Sequence, residues 1–176
     1  MITFEGDNKD LNARFFSQNS FAFLFVYLLY SFIISLFFKN ENLKYYAYFL
    51  ELILLILFIL FTINTSKSII NLVTINENEI LLKGEVFNKE WEKSIPLKEA
   101  KIEVKGNPSR SGLSGVTFYI NLKNEKDKYT INSFQTFSDE QIVEIFNEFK
   151  KYKGEKIILD EKLYIMRIQE KIEKCQ

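Results

Sequence analysis

Phe21-Ala-Phe-Leu-Phe-Val-Tyr-Leu-Leu-Tyr-Ser-Phe-Ile-Ile-Ser-Leu-Phe-Phe38 carries no charged side chain, and its only polar interruptions besides tyrosine are Ser31 and Ser35. Serine hydroxyls can bond back to helix carbonyls, so neither residue breaks the run. At about 1.5 Å of rise per residue the stretch reaches roughly 27 Å as a helix, close to the ~30 Å hydrocarbon core of a bilayer. A second apolar run, Tyr45 to Ile63, follows the polar link Lys39-Asn-Glu-Asn-Leu-Lys44 and holds a single charge, Glu51. Two spans joined by so short a link must lie antiparallel. The expectation is a transmembrane helical hairpin over 21–63, with spans at 21–38 and 45–63. Neither run shows the polar face of a soluble helix. The acidic residues Glu5, Asp7 and Asp10 ahead of the first run argue against a cleaved signal, whose flank is basic.

Lys9, Arg14 and Lys67 flank the ends of the hairpin, against Lys39 and Lys44 in the link, so both termini are expected in the cytoplasm. Residues 1–20 then read as an N-terminal cytoplasmic tail. Tyr45, Tyr46 and Tyr48 stand where an interfacial aromatic belt would be. Glu51, about two turns into the second span, is the one membrane-embedded acid, and such residues are functional candidates by default.

After Asn64-Thr-Ser-Lys67 the pattern changes to short alternating stretches separated by turn residues. Strands are predicted at Ile70 to Ile75, Glu79 to Val86, Lys89 to Ile95, Lys101 to Val104, Val116 to Leu122 and Lys128 to Phe134. Val116, Phe118, Ile120 and Leu122 share one side of a strand, the two-residue period of a sheet with one buried face. Six strands with short links predict an antiparallel meander. Ser138 and Gln141 form a capping box, with Phe137 and Ile142 as the hydrophobic staple, opening a helix over 138–153 that ends in Lys150, Lys151, Lys153 and Gly154. The tail, 155–176, is expected to carry a second amphipathic helix from near Asp160, through Leu163, Ile165, Ile168 and Ile172.

The chain has 176 residues, no His, and one Cys, Cys175. This excludes disulfides, Cys/His zinc sites and His-based triads within it. Four basic and five acidic residues precede position 64, leaving 19 basic and 18 acidic after it. A near-neutral soluble part disfavours a nucleic acid polymer as partner, since phosphate contacts need a basic excess. No phosphate-binding glycine loop, nucleophile elbow or metal-spaced carboxylate pair is present, so no enzyme, cofactor or metal is expected.

Two apolar helices leading into a meander that includes Ile80-Leu-Leu-Lys-Gly84 and Ser94-Ile-Pro-Leu97, closed by a capped helix, resemble the bacterial pleckstrin-homology-like (PH-like) membrane proteins. The likeness runs from about position 20 to 153. It implies a PH-like β-meander or barrel of six to seven strands over 68–154, capped by 138–153, in an α+β domain on the bacterial inner membrane. It also implies a non-enzymatic adaptor or accessory subunit that binds protein partners or lipid, as a homo-oligomer or within a membrane complex. An alternative is a ligand-gated effector, which oligomerises and disrupts the membrane when a β-barrel binds a cyclic nucleotide, an outline resembling antiphage signalling effectors. Candidate contacts to a small anionic ligand or partner are Arg110, Ser111 and Ser114 in the glycine-rich loop, with Lys105 before it. Lys150, Lys151 and Lys153 are candidate contacts to anionic lipid at the membrane surface.

Overall fold

The computed structural model describes residues 1–17, 20–37, 41–107 and 115–175, and divides into two compact units. One comprises Met1–Lys9 with Ser68–Gln176, and the other is Asp10–Lys67. Among the described residues the architecture is α+β, with seven strands in two antiparallel sheets and five helices.

The first sheet has the order β1 (Ile2–Glu5), β2 (Ser68–Ile75), β3 (Glu79–Val86) and β4 (Lys89–Pro96). The second joins β5 (Lys101–Asn107), β6 (Thr117–Lys123) and β7 (Lys128–Ile131). The expected single meander is thus two sheets, and the N-terminal tail is not a tail. Ile2 pairs with Ile75 and Glu5 with Leu72, while Phe4 is buried against the core and Thr3 meets Thr74 through their hydroxyls at 3.1 Å. Ile2 and Phe4 alternate over only four residues beside the acidic Glu5, Asp7 and Asp10, and it is the pairing with β2 that exposes the strand.

Alternation along the strands builds the core. Val73 and Ile75, Ile80 and Leu82, Ile95, Ile102 and Val104, and Phe118, Ile120 and Leu122 are all buried between the sheets and α4 (Asp139–Lys153). Helix α4 contributes Ile142, Ile145, Phe146 and Phe149 from one face, at the spacing of a helical stripe. Its start matches expectation. Ser138 Oγ accepts from Gln141 N at 3.2 Å, Gln141 Oε1 accepts from Ser138 N at 2.9 Å, and Gly154 closes the helix at φ +69°. Helix α5 (Leu159–Cys175) packs on α4 and β5 through Ile165 and Ile168.

Two irregularities have local causes. The register slips between Ile70 and Leu72, and a Cβ at Gly84, on the facing strand, would lie 2.0 Å from the Ile69 carbonyl oxygen, so only glycine fits beside this bulge. β7 was expected to run to Phe134 but stops at Ile131, because Asn132 turns left-handed at φ +71°. The Asn132 amide then donates to Phe118 O at 2.7 Å and accepts from Phe137 N at 2.8 Å, bracing the approach to α4.

The helical unit contains α1 (Leu11–Ser17), which the sequence did not announce, α2 (Ser20–Phe37) and α3 (Glu41–Ser66). The second expected span is longer than 45–63, and Glu41 to Lys44 belong to helix instead of link. α1 packs against both long helices, and Arg14 is buried there, its Nε donating to the Asp10 carbonyl at 3.3 Å. Among the described residues one helix, Asn42–Ser66, is long and apolar enough to cross a membrane, with a mean hydropathy of 2.5; the apolar part of α2, Leu24–Leu36, is shorter.

Candidate functional site

Three places in the structure concentrate polar side chains in unusual surroundings. The first is a cleft of about 400 Å³ where β6 begins and α4 starts. Val116, Phe118, Asn132, Ser138, Asp139 and Lys171 line it. Lys171, from α5, reaches Asp139 at 2.6 Å and lies 5.8 Å from the centre of the Phe118 ring. Its charge is therefore matched within the protein. The helix start is also occupied, because Ser138 and Gln141 cap each other, and Gln141 Nε2 donates on to Glu5 O at 2.9 Å. The backbone N–H of Glu140 itself, then the Ser138 hydroxyl, hold the Glu140 carboxyl below the usual carboxylate range. Among the described residues, the cleft offers an anion no uncompensated cation.

Of the ligand contacts expected in the glycine-rich loop, Arg110, Ser111 and Ser114 lie outside the described residues. Lys105 is described, and it belongs to a cross-strand ladder of charges. Its Nζ lies 3.3 Å from Glu103, which also pairs with Lys123 at 3.1 Å. Lys123, opposed by partial burial and then aided by Lys105, holds the Glu103 carboxyl below its ordinary value.

The second place is the end of α4. Lys150 is only 7% exposed and pairs with Glu161 at 2.8 Å and Glu155 at 3.1 Å. Burial pulls its ammonium toward deprotonation, but the hydrogen bonds it donates to Glu161 and Glu155 outweigh it and the net shift is upward. Lys153 bonds Glu155 at 2.8 Å and donates to Ala100 O at 2.5 Å, while Lys151 pairs with Glu148 at 3.0 Å. Lysine 153, and behind it Lys150, holds Glu155 below its ordinary pKa against the opposing effect of burial.

Of the three lysines expected at a membrane surface, Lys150 joins the end of α4 to α5 through these pairs, while Lys151 stays exposed. Ala100 follows β4, whose end Pro96 pairs with Glu79, and Leu97 N bonds Asn78 O at 2.9 Å.

No family model, curated protein or solved structure matches the chain. The third place therefore has to be read from its own chemistry. Glu51 is only 3% exposed, and Ser31 donates its hydroxyl to the Glu51 carboxylate across the α2–α3 contact. The Ser31 hydroxyl thus serves the acid. Among the described residues no group of three or more Asp, Glu, Cys or His is placed to hold a metal. Sequence reasoning singled out Glu51 but missed Ser31 as its partner, although Ser31 is one of two serines in an otherwise apolar run. It also missed Asn132, for which a strand-like neighbourhood left no signal.

Trp91 acts as a packing residue. It lies against the core and stacks on Tyr129 with ring centres 5.9 Å apart.

Proposed function

We propose that this chain is a non-enzymatic membrane-anchored adaptor, in which α2 and α3 cross the bilayer together and the sheet-containing unit meets protein partners at the cytoplasmic face. One observation carries the reading: β1 precedes the apolar helices, β2 follows them, and the two are hydrogen-bonded neighbours. Were α3 alone to cross, these strands would stand on opposite sides of the bilayer. The number of crossings between Glu5 and Ser68 is therefore even, which supports pairing α2 with α3. An α2 of 18 residues reaches roughly 27 Å. Phe25, Phe32, Phe49, Leu57 and Phe61 all stand exposed on the two helices, a disposition suited to lipid and costly in water at about 25 cal/mol per Å² of apolar surface.

Four strands and three strands in two sheets, with a helix closing the core, also agree with the PH-like resemblance. β1 supplies the seventh strand. In this arrangement the hairpin is an insertion between the first two strands of the domain, so the domain grips both ends of its own anchor.

The test is a topology and partner experiment on the full chain. In cells, Asn42→Cys in a Cys175→Ser background should react with a membrane-impermeant maleimide from outside. Cys175 in the native chain should react only after lysis. A native pull-down in mild detergent should then retain a stoichiometric protein partner. Recovery of the chain in the soluble fraction would overturn the anchor, and a chain that purifies alone would overturn the adaptor. The cleft beside α4 has room for a ligand, but its lysine, Lys171, is already paired with Asp139, which weighs against the ligand-gated reading. A rise of several degrees in melting temperature with a cyclic nucleotide would favour it.

A further inference from the structure

We propose that the β3–β4 turn, Val86-Phe87-Asn88-Lys89, is a shallow wedge that inserts into the lipid interface and seats the sheet-containing unit on the membrane. The proposal rests on the reading of α2 and α3 as spans.

The turn is built against local preference. Phe87 has φ +50° and Asn88 φ +62°, the left-handed pair that a two-residue hairpin requires. Asn tolerates this region and glycine favours it, but a bulky aromatic there is an outlier. Burial does not compensate, since Phe87 is 47% exposed and Val86 beside it 36%. Residues held in sparsely populated backbone regions cluster at functional sites, and such an outlier is a reason to ask what the side chain does.

Register says where that side chain is presented. Ser68 pairs with Val86, and Val86 with Lys89, so the tip lies beside the first residue of β2. α3 ends at Ser66. With neighbouring strands about 4.8 Å apart, Phe87 is within roughly 10 Å of Ser68, the residue at which the chain enters this unit from the apolar helices. β1 runs toward the same end, where Gly6 N bonds Asn71 O at 2.8 Å and Asn8 reaches Glu85. Both connections to the hairpin thus depart from the end of the sheet that carries the turn.

The opposite end makes the contrast. Its turn, Asn76-Glu77-Asn78, is wholly polar, with Asn76 Oδ1 accepting from Asn78 N at 2.9 Å. A residue chosen only to close a hairpin would resemble that one. Lys89 adds a cation suited to an anionic leaflet, and aromatic rings favour the headgroup level. Glu85 and Glu90, one rung behind the tip, limit the depth, so the contact is interfacial.

The test uses the full chain in vesicles of phosphatidylethanolamine and phosphatidylglycerol doped with lipid spin-labelled high on the acyl chain. A fluorophore is attached at Asn88→Cys, Asn78→Cys or Leu57→Cys in a Cys175→Ser background. The expected result is quenching at position 88 several-fold stronger than at 78, falling to the level of 78 when Phe87→Ser is added. Equal quenching at 88 and 78, with strong quenching at 57, would overturn the wedge and leave the hairpin standing. No quenching at 57 would overturn both.

Discussion

Lys150 illustrates how one side chain is set by partners from two other segments. Its ammonium is buried at the end of α4, yet Glu155 follows that helix and Glu161 begins α5. Removing one member of a buried pair leaves the other uncompensated, at about 3–5 kcal/mol for full burial. Glu155 is 41% exposed and can regain water, so Lys150→Ala should cost about 2 kcal/mol, measured by chemical unfolding of the full chain in detergent. The pH dependence follows from the shifts. A raised lysine pKa contributes stability fully below the ordinary value of about 10.4, and loses it as pH rises through the folded value. A lowered Glu155 pKa contributes above about 4.3 and loses it as pH falls through the folded value. The penalty of Lys150→Ala should therefore be flat between about pH 5 and 10 and shrink at both extremes. A penalty unchanged at high pH would contradict the ionic origin. The charges at this helix end were legible in the sequence, but their burial required the second helix to fold back.

Helix α4 is the element most fully written in local chemistry. Its cap residues, apolar stripe and terminal glycine all lie within one continuous segment and act over three or four residues. Ser138→Ala should lower stability by about 1 kcal/mol, the usual value of an N-cap, read as a shift in the unfolding midpoint at constant slope. Gln141→Ala should cost a comparable amount, because Gln141 holds the Ser138 N–H and reaches Glu5 O. No change in either variant would mean the capping box contributes nothing beyond water. Strand interiors were nearly as legible, and β3 was read to the residue. Strand ends were not, since β7 stops where Asn132 turns left-handed and β5 continues to Asn107 through pairing with Thr117. A strand ends where its partner or its dihedrals end it, and neither is visible in its own pattern.

At the scale of the molecule, β1 closes the first sheet from the far side of the apolar helices. Thr3 and Thr74 touch across 71 residues of chain. Deleting Ile2–Glu5 should remove the buried Phe4 ring and bare the β2 edge. The loss should be at least about 3 kcal/mol, the lower range for removing a buried Phe, with added aggregation through the open edge. Unfolding and light scattering of the truncated full chain would register it. An unchanged midpoint would mean that β1 is dispensable.

Composition and periodicity, which act between neighbours a turn or a rung apart, were enough for the apolar helices, the run of strands after Lys67 and the capped helix. Only the tertiary structure joined β1 to β2, split the strands into two sheets, turned Lys150 inward and gave Glu51 its serine. Each of these depends on groups brought together from distant parts of the chain, and hydrogen bonding or burial between such groups leaves no period in the residues that make it.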